Sequence, residues 1–328
     1  MKQKLQIWSG FGTRICREIH RCACSTGHLS LQTVKTGFPM QRIIIHGGCG
    51  AREDPRTPFA TYAEHLHQII KESQAHLEKT DNAIEAARFA ARLLEDDPIF
   101  NAGLGSRVQQ DGQIRMSASY MDSIKHKFAG VIGIQNIRYP SEVAHALHKQ
   151  RHSVLAGEHA MKYANETLKM MPFNPMTEQR WEEYLELKAG LTGTIGVVAL
   201  DSQGCICAIT STGGAGFEVP GRVSDTPTCA GNYATACMGI SCTGIGEQIV
   251  DKAIAAKVHT RVLDGMALDL AVSKSIAESE ADGDYVGLIS LDRAGNIATG
   301  DTARGQTLYA YHDGAAYHTF MEKLKVAA

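Results

Sequence analysis

Apolar and polar positions alternate along the chain in a way that predicts short strands and amphipathic helices. Residues 42–46 form an apolar, β-branched run followed by glycines, which predicts a buried strand ending in a turn. Residues 59–79 and 82–95 carry apolar positions at helical spacing, and Asn82 with Glu85 is typical of a helix N-terminal cap. The chain therefore begins its ordered part with a strand and two helices.

The middle of the chain predicts further strands, a long helical stretch and a polar segment. A hairpin is predicted over 108–120, because an Asp-Gly pair divides this stretch, and a strand is predicted over 128–135. Residues 141–170 have a mostly helical pattern. Residues 171–190 contain two prolines and a charged run, which predicts a mobile surface linker.

The second half of the chain again mixes strands with paired helices. Strands are predicted over 194–200 and 205–211, and a further apolar strand reaches Cys242. The remaining elements are helices at 247–263 and 266–279 and short strands at 286–291, 296–299 and 308–312. The hairpins favour antiparallel pairing, so the expected fold class is α+β, with sheets covered by helices in layers.

Composition excludes several classes of function. The 328 residues are 44% hydrophobic, which is enough to bury a sizeable core. With 33 Lys and Arg against 35 Asp and Glu, the net charge of −2 gives no indication of a nucleic-acid partner. No apolar run reaches the roughly 18 residues of a membrane-spanning helix. Nine scattered cysteines fit a reduced compartment, so we expect a cytoplasmic protein.

The first forty residues differ from the rest. Residues 1–40 contain six Lys and Arg but one acid, Glu18, and they lack the apolar core of a secretory signal. We interpret them as a basic extension that is disordered or not native, with Met40 as the alternative start. An organelle transit peptide is the other interpretation that this composition allows.

The usual signatures of nucleotide-binding and hydrolytic sites are missing from the sequence. No Walker A loop, no complete Gly-x-Gly-x-x-Gly, no His-Glu-x-x-His and no Gly-x-Ser-x-Gly elbow occurs. Four segments rich in glycine and hydroxyl side chains are present instead, at 191–196, 210–214, 221–225 and 242–247. Together they suggest a site built from backbone N–H groups, threonine hydroxyls, one arginine and one carboxylate.

Arg222 and Asp225 are the charged pair of these segments. Their side chains suit the two ends of a zwitterion, because a guanidinium binds a carboxylate and a carboxylate binds an ammonium. The simpler alternative is a surface salt bridge, an interaction that contributes little to stability.

The four segments, in this order, resemble the plant-type L-asparaginases, also called isoaspartyl (β-aspartyl) peptidases, of the N-terminal nucleophile (Ntn) hydrolase superfamily. Two further segments, 45–50 (Ile-His-Gly-Gly-Cys-Gly) and 94–103 (Leu-Glu-Asp-Asp-Pro-Ile-Phe-Asn-Ala-Gly), are similar to segments of the same family. The resemblance covers residues 42–328 and excludes the basic extension. It implies a four-layer αββα sandwich.

The resemblance also implies a precursor that cuts itself between Gly193 and Thr194. Residues 41–193 would form an α subunit ending in the linker, and residues 194–328 a β subunit that starts with the nucleophile. Thr194 would then attack through its hydroxyl, while its newly freed α-amine accepts the proton. Such an amine titrates at about pH 7.7–8.0 and is therefore a competent base near neutrality.

The remaining catalytic roles are carried over from the resemblance by position. Thr212 would hydrogen-bond the Thr194 hydroxyl. Thr243 Oγ and the Gly244 N–H would form the oxyanion hole. The implied reaction is hydrolysis of the side-chain amide of L-asparagine, of β-aspartyl dipeptides, or of both.

Substrate binding is carried over in the same way. Arg222 would bind the substrate α-carboxylate, and Asp225 its α-amine with help from the Gly246 carbonyl. Asn101 would support the nucleophile's end of the cleft. The preference between asparagine and β-aspartyl dipeptides stays open at this point, since both present the same amino-acid head.

The resemblance implies no cofactor for the chemistry and a structural Na⁺ ion. The implied ligands of that ion are the backbone carbonyls of Leu94, Glu95, Asp97, Phe100, Ala102 and Leu104. The implied partners are a small-molecule substrate and a second copy in a homodimer of αβ units, with no nucleic acid and no membrane.

Three departures from the family pattern affect the rim of the implied substrate site. Ser224 stands where the family usually has glycine, and Ser117 stands where it usually has aspartate. The loop 215–219 lacks the basic residue often found there. We expect these differences to alter substrate preference rather than the reaction.

Three alternatives remain. A glycosylasparaginase is disfavoured because Thr192-Gly193, rather than an aspartate, precedes the implied nucleophile. A taspase-like threonine endopeptidase fits less well, because Arg222 and Asp225 suit a free amino-acid head. A catalytically silent binding protein that never cleaves is the alternative from another class.

Overall fold

The first strand is longer than the apolar run that predicts it. Strand β1 covers Arg42–Gly50, and all nine of its residues are buried, including the glycines. The computed structural model describes residues 41–50, 57–186 and 193–322, all within one compact unit. The basic extension, residues 1–40, lies outside the described residues.

Eight strands form the larger sheet. Besides β1 they are β2 Met116–Asp122, β3 Ala129–Ile134, β4 Val154–Ala156, β5 Ile195–Leu200, β6 Ile206–Thr212, β11 Gln306–His312 and β12 Tyr317–Thr319. Their order across the sheet is β12-β11-β1-β5-β6-β2-β3-β4. Strands from before and after residue 193 therefore interleave: β1 lies between β11 and β5, and β6 lies between β5 and β2.

Four strands form a second sheet. They are β7 Asn232–Ala234, β8 Met238–Gly244, β9 Val286–Asp292 and β10 Ile297–Asp301, in the antiparallel order β10-β9-β8-β7. In the larger sheet only β3 and β4 pair in parallel among the described strands. The prediction of largely antiparallel sheets is confirmed.

Helices contact both sheets, and the sheets contact each other. The helices are α1 Phe59–Thr80, α2 Ala83–Asp96, α3 Pro140–Leu147, α4 Gly157–Lys162, α5 Glu178–Leu185, α6 Gly246–Lys252, α7 Ile254–Leu263 and α8 Leu268–Ala281. Helices α1, α2 and α3 pack on the larger sheet, whereas α7 and α8 pack on the smaller one. Strands β1, β5 and β6 contact β8 and β9 across the interface between the sheets.

The predicted cap of α2 is present. The Asn82 side-chain oxygen accepts hydrogen bonds from the Ile84 and Glu85 backbone N–H groups at 3.0 and 3.1 Å. The Glu85 carboxylate does not complete a capping box, because it pairs with Arg88 at 2.8 Å. Across the described residues, no helix combines the length and the apolar character needed to cross a membrane.

The hairpin predicted over 108–120 does not form. Residues 108–115 are a loop, closed where the Gln109 N–H donates to the Gln113 carbonyl at 2.9 Å. Strand β2 begins only at Met116 and pairs with β3 and β6. The Asp-Gly pair does make a turn, but the sheet supplies the partners of the strand that follows.

Two helical predictions differ from the structure in detail. The helical stretch 141–170 is interrupted by β4 and closes in a π-helix, Tyr163–Thr167. The helix predicted over 247–263 divides into α6 and α7 at Ala253, whose backbone adopts the left-handed conformation with φ 49°.

The segment predicted as a surface linker contains helix α5 and is anchored to the fold. Arg180 is 4% exposed, donates to both Glu183 oxygens at 3.0 and 2.9 Å, and donates to the Gly105 carbonyl at 2.6 Å. The prediction of a mobile surface linker is therefore wrong for this part of the charged run, which forms a buried ion pair. Residues 187–192 lie outside the described residues.

Candidate active site

Thr194 lies at the point where the two central strands β5 and β6 meet the cleft. Ile195 pairs with Ser211 in the antiparallel register, which places Thr194 opposite Thr212 at the end of the ladder. The Thr194 hydroxyl donates to the Thr212 hydroxyl at 3.2 Å. The predicted pairing of these two threonines is therefore present in the continuous chain.

The Thr212 hydroxyl is held from a second side. Thr212 is 4% exposed, and its oxygen accepts the Gly214 N–H at 3.1 Å. The glycines after Thr212 allow the chain to turn closely around it. A fixed acceptor is thus presented to the Thr194 hydroxyl.

Asn101 packs against the peptide that precedes Thr194. Its side-chain amide donates to the Gly214 carbonyl at 2.5 Å, and its side-chain oxygen accepts the Arg107 N–H at 2.8 Å. The Asn101 carbonyl accepts the Gly213 N–H at 2.9 Å. Asn101 therefore joins the loop after Phe100 to the turn after Thr212, next to Gly193.

Gly193 has no room for a side chain. Its φ is +148°, and a Cβ added there would lie 2.1 Å from the Asn101 Cβ. We expect Gly193→Ala to push the Gly193–Thr194 peptide away from Asn101 and to slow cleavage at this bond by at least about tenfold, equivalent to about 1.4 kcal/mol. The fraction of cut chain against time on a denaturing gel measures this.

A matched control separates crowding from backbone strain. Gly265 also has a positive φ, +96°, but a Cβ there would meet nothing within 4 Å. Gly265→Ala is expected to mature at the wild-type rate. Equal cleavage rates for wild type and Gly193→Ala would show that the contact with Asn101 does not position the peptide.

The candidate oxyanion hole is at the end of β8. Thr243 is 1% exposed, and its hydroxyl has no hydrogen-bond partner among the described residues. Gly244 has φ +130°, and a Cβ there would lie 2.3 Å from the Tyr285 carbonyl oxygen. Gly244 lines the cleft, and Thr243, the residue before it, is not among the lining residues. An unpaired buried hydroxyl is costly, which is consistent with a ligand atom as its missing partner.

Arg222 is fixed at the mouth of the cleft by two glutamates. Its Nε and Nη2 donate to the two Glu247 oxygens at 2.6 and 2.7 Å, and its Nη1 lies 3.6 Å from Glu218 Oε2. These interactions raise the pKa of Arg222, chiefly through the Glu247 hydrogen bonds. The guanidinium is therefore charged and oriented, and a carboxylate ligand would exchange with Glu247 for it.

Asp225 is buried without a full set of partners. It is 3% exposed, and its Oδ2 has no hydrogen-bond partner in the described parts of the chain. Burial raises the pKa of Asp225 to about 7. Gly246 lies against it, because a Cβ on Gly246 would meet Asp225 Oδ1 at 2.7 Å. A buried carboxylate oxygen that lines a cleft is a candidate acceptor for a cationic ligand group.

One cleft of about 190 Å³ brings most of the predicted site residues together. Its lining includes Gly193, Thr194, Thr212, Arg222, Asp225, Gly244 and Gly246. Asn101 and Thr243 are not among its lining residues, but Asn101 lies against Gly193, and Thr243 directly precedes Gly244. The Arg222–Asp225 pair is not a simple surface bridge, because Arg222 is engaged by glutamates and Asp225 is buried.

A buried polar network beneath the nucleophile was not predicted from the sequence. His46 Nε2 and Ser241 Oγ are hydrogen-bonded at 2.9 Å, and Ser241 Oγ is hydrogen-bonded to Thr210 Oγ at 2.7 Å. Thr210 in turn donates to Asn232 at 3.1 Å. Burial lowers the pKa of His46 to about 3, so the ring is neutral, and it also bonds the Thr194 backbone. The motif 45–50 contained His46, but nothing in the sequence indicated its partner on β8.

Glu95 is a second residue without a predicted side-chain role. Its carboxylate is fully buried and accepts hydrogen bonds from the Ser211 and Ser141 hydroxyls at 2.7 and 2.6 Å. Burial raises the pKa of Glu95 to about 7. Because Ser211 precedes Thr212, Glu95 fixes the strand that carries the hydrogen-bond partner of the nucleophile.

The segment proposed to hold Na⁺ is a tight loop. A Cβ on Gly103 would lie 2.3 Å from the Glu95 carbonyl oxygen, and one on Gly105 would lie 2.3 Å from that of Pro98. The Glu95 carbonyl accepts the Leu104 N–H at 2.7 Å. No cluster of three His, Cys, Asp or Glu in the described residues could hold a metal. The carbonyl site for Na⁺ stays a prediction.

Known proteins match most of the chain. A family model described as Asparaginase matches residues 39–192 and 186–322. An isoaspartyl peptidase/L-asparaginase of Synechocystis sp. is 41% identical over 300 residues, covering 86% of this chain and 90% of the relative. An isoaspartyl peptidase of Escherichia coli is 35% identical, covering 78% and 88%. A plant-type L-asparaginase of Pyrococcus horikoshii is 34% identical, covering 83% and 96%.

Proposed function

The chain belongs to this asparaginase family, and on that premise we propose that it is a self-activating threonine amidohydrolase. Its substrates are L-asparagine and β-aspartyl dipeptides, whose side-chain amide it hydrolyses. The observation that carries this proposal is the convergence of the Thr194 hydroxyl, the Arg222 guanidinium and the unpaired Asp225 carboxylate in one cleft.

The reaction divides into two acyl transfers at Thr194. Cleavage after Gly193 frees the Thr194 α-amine, which accepts the proton of the Thr194 hydroxyl as the oxygen attacks the substrate amide carbon. The amine returns that proton to the leaving nitrogen, which departs as ammonia or as an amino acid. Water then hydrolyses the aspartyl ester by the same route and restores the threonine.

The surrounding groups stabilise the charges that develop. The Thr243 hydroxyl and the Gly244 N–H form the oxyanion hole in this proposal, which is supported by the unpaired Thr243 hydroxyl and by Gly244 in the cleft lining. A donor of this kind is worth about 3–4 kcal/mol in comparable enzymes. The Thr212 hydroxyl orients the nucleophile, and the neutral His46 network keeps the floor of the site rigid without adding charge.

Arg222 and Asp225, which we call the clamp, account for the recognition of an amino-acid head. Arg222 takes the α-carboxylate in exchange for Glu247, whose side chain is 55% exposed and regains water when displaced. Asp225 takes the α-ammonium, which satisfies the Oδ2 atom that has no other partner among the described groups. Both amide substrates carry this head.

The wider assignment follows from the same family. We propose that the two sheets and their helices form the αββα sandwich of Ntn hydrolases, with the α subunit ending at Gly193. A homodimer of αβ units, a structural Na⁺ in the 94–104 loop and a cytoplasmic location complete the proposal. The cysteines that the structure describes are free thiols, in keeping with a reducing environment.

Turnover by the matured protein tests the proposal. Purified protein is incubated until cleavage is complete and then assayed for ammonia release from L-asparagine and for aspartate release from a β-aspartyl dipeptide. Hydrolysis of either is expected. A matured chain that cleaves neither would refute the assigned activity.

Asp225 predicts how substrate binding depends on pH. With its pKa raised to about 7, the free carboxyl is protonated below that pH and cannot pair with an ammonium. Binding of an amino-acid head is therefore expected to weaken by about tenfold for each pH unit below 7 and to be flat just above it. The inhibition constant of L-alanine measures this, because its uncharged side chain avoids interaction with the Thr194 amine.

The control for the pH profile is Asp225→Asn. This variant keeps the shape of the side chain but has no carboxyl to titrate, so its inhibition constant should be high and independent of pH between 5 and about 7. A wild-type profile that is flat over the same range would contradict the assignment of Asp225 to the ammonium.

A further inference from the structure

A second cavity continues the cleft away from the nucleophile. Its volume is about 340 Å³, and it shares Thr212, Gly214, Arg222 and Ser224 with the cleft that contains Thr194. Apart from Glu218, which lies near Arg222, the rest of its lining has no role in the function proposed above. The cavity is therefore continuous with the catalytic site and unexplained by it.

The register of the large sheet places this cavity close to Thr194. Ser117 of β2 lies directly opposite Thr212 of β6, so the two side chains point to the same face of the sheet. The Ser117 hydroxyl accepts the Gly133 N–H at 3.1 Å. Thr194, Thr212, Ser117 and Gly133 thus form a row across four strands, which are spaced about 4.8 Å apart.

The volumes of the catalytic cleft and of the second cavity suit different parts of a substrate. The catalytic cleft, at about 190 Å³, is smaller than the roughly 300–1,000 Å³ typical of small-molecule sites. It suits the aspartyl head that Arg222 and Asp225 hold. A β-aspartyl dipeptide carries a second residue beyond the amide nitrogen, and the 340 Å³ cavity offers adjoining space for it.

The charge of the cavity favours an anion. Its ionisable lining groups are Arg115, Arg222 and Glu218. The Glu218 carboxylate is already engaged, because it accepts the Gly216 N–H at 3.1 Å and a Gln109 N–H at 2.9 Å and lies near Arg222. Arg115 donates to both Asp111 oxygens, at 3.0 and 2.8 Å, and to the Gln109 side-chain oxygen at 2.6 Å. Asp111 is outside the cavity lining, so a carboxylate ligand would exchange with it for Arg115.

The other residues that line the cavity also favour an anionic ligand. Ser117 is a serine, so the middle of the row carries a hydroxyl and no carboxylate. The amides of Gln109 and Gln135 are also part of the lining and can donate hydrogen bonds. The cavity thus combines a guanidinium and neutral donors without a free carboxylate among its lining residues.

We propose that this cavity binds the leaving residue of a β-aspartyl dipeptide and that Arg115 makes it select a leaving residue with a free carboxylate. The inference rests on the proposed amidohydrolase function. It assigns Arg115, Ser117 and the two glutamines to substrate preference rather than to the chemical step.

The test compares three substrates: L-asparagine, β-aspartyl-alanine and the C-terminal amide of β-aspartyl-alanine. Wild type is expected to prefer the dipeptide acid over its amide in kcat/KM. Arg115→Gln should reduce the ratio of dipeptide acid to asparagine by at least about tenfold, the loss of one charged hydrogen bond, and should abolish the preference for the acid.

Two further variants make the result specific. Arg138→Gln breaks a comparable ion pair, with Asp96 at 2.7 Å, outside the cavity, and should leave the ratio unchanged. Ser117→Asp keeps an acceptor for the Gly133 N–H but adds a carboxylate to the row, and it should lower the ratio as Arg115→Gln does. Since the two variants change different elements, damage to the loop around Arg115 cannot account for both.

The outcomes distinguish the two proposals. Wild type that cleaves none of the three substrates overturns the proposed function and this inference with it. Wild type that cleaves asparagine and the dipeptide but treats acid and amide alike overturns the subsite alone. The subsite is also overturned if both Arg115→Gln and Ser117→Asp retain the wild-type ratio.

Discussion

Thr194→Ala is expected to remain a single chain of 328 residues without amidase activity, whereas wild type divides into fragments of 193 and 135 residues. Alanine has no hydroxyl to attack the Gly193 carbonyl, and an uncut chain has no α-amine at position 194 to act as base. Loss of the nucleophile costs about 10⁶ in kcat in comparable hydrolases, so the remaining turnover would be at background.

Denaturing gels and N-terminal sequencing measure this result. The new fragment of wild type should begin Thr-Ile-Gly-Val-Val. Thr260→Ala is the matched control, because Thr260 is exposed on α7 and its hydroxyl donates to the Ala256 carbonyl of the same helix at 2.9 Å. A different N-terminus, or an uncut chain with full activity, would rule out the N-terminal threonine mechanism.

Removing either half of the clamp should cost most of the catalytic efficiency while leaving self-cleavage possible. Arg222→Ala or Asp225→Ala leaves a charged end of the substrate without its partner in the cleft. Truncating one member of a desolvated charged pair costs about 2–5 kcal/mol, which is roughly 30-fold to several thousandfold in kcat/KM. Cleavage after Gly193 involves no free amino-acid head, so both variants should still mature.

Blocked substrates assign each residue to its end of the substrate. Asparagine with an acetylated α-amine should be poor for wild type, and Asp225→Ala should discriminate far less between it and asparagine. The α-carboxamide should show the same pattern with Arg222→Ala. Should both variants keep wild-type discrimination, the head is held by other groups.

The site residues that could be predicted from the sequence are those that lie on neighbouring strands or close together in one loop. The resemblance supplied the pairing of Thr194 with Thr212, and the two predicted strands that a short turn joins are consistent with it, because their antiparallel register brings the two threonines opposite each other. The same holds for Arg222 and Asp225, which are neighbours in one loop. Their burial, and the unpaired oxygen of Asp225, required the surrounding fold.

Contacts between segments that are distant in the chain could not be predicted from the sequence. His46 and Ser241 are 195 positions apart, and Arg222 and Glu247 are 25 apart on different elements. Such pairs depend on how the two sheets stack, which periodicity does not specify. The wrong prediction of a hairpin over 108–120 and the unpredicted buried ion pair of α5 have the same origin, because tertiary partners outweighed the local signal.

The interleaved order of the large sheet has a consequence for a chain divided after Gly193. The first fragment supplies β1–β4, while β5, β6, β11 and β12 come from the second, and β1 is bonded on both sides by strands of the second. Neither fragment retains the whole of the larger sheet, so the cut does not release a product. Refolding after denaturation instead becomes a bimolecular reaction, with a rate and yield that rise with protein concentration. The proposed cleavage would thus make the persistence of the protein depend on slow unfolding rather than on refolding.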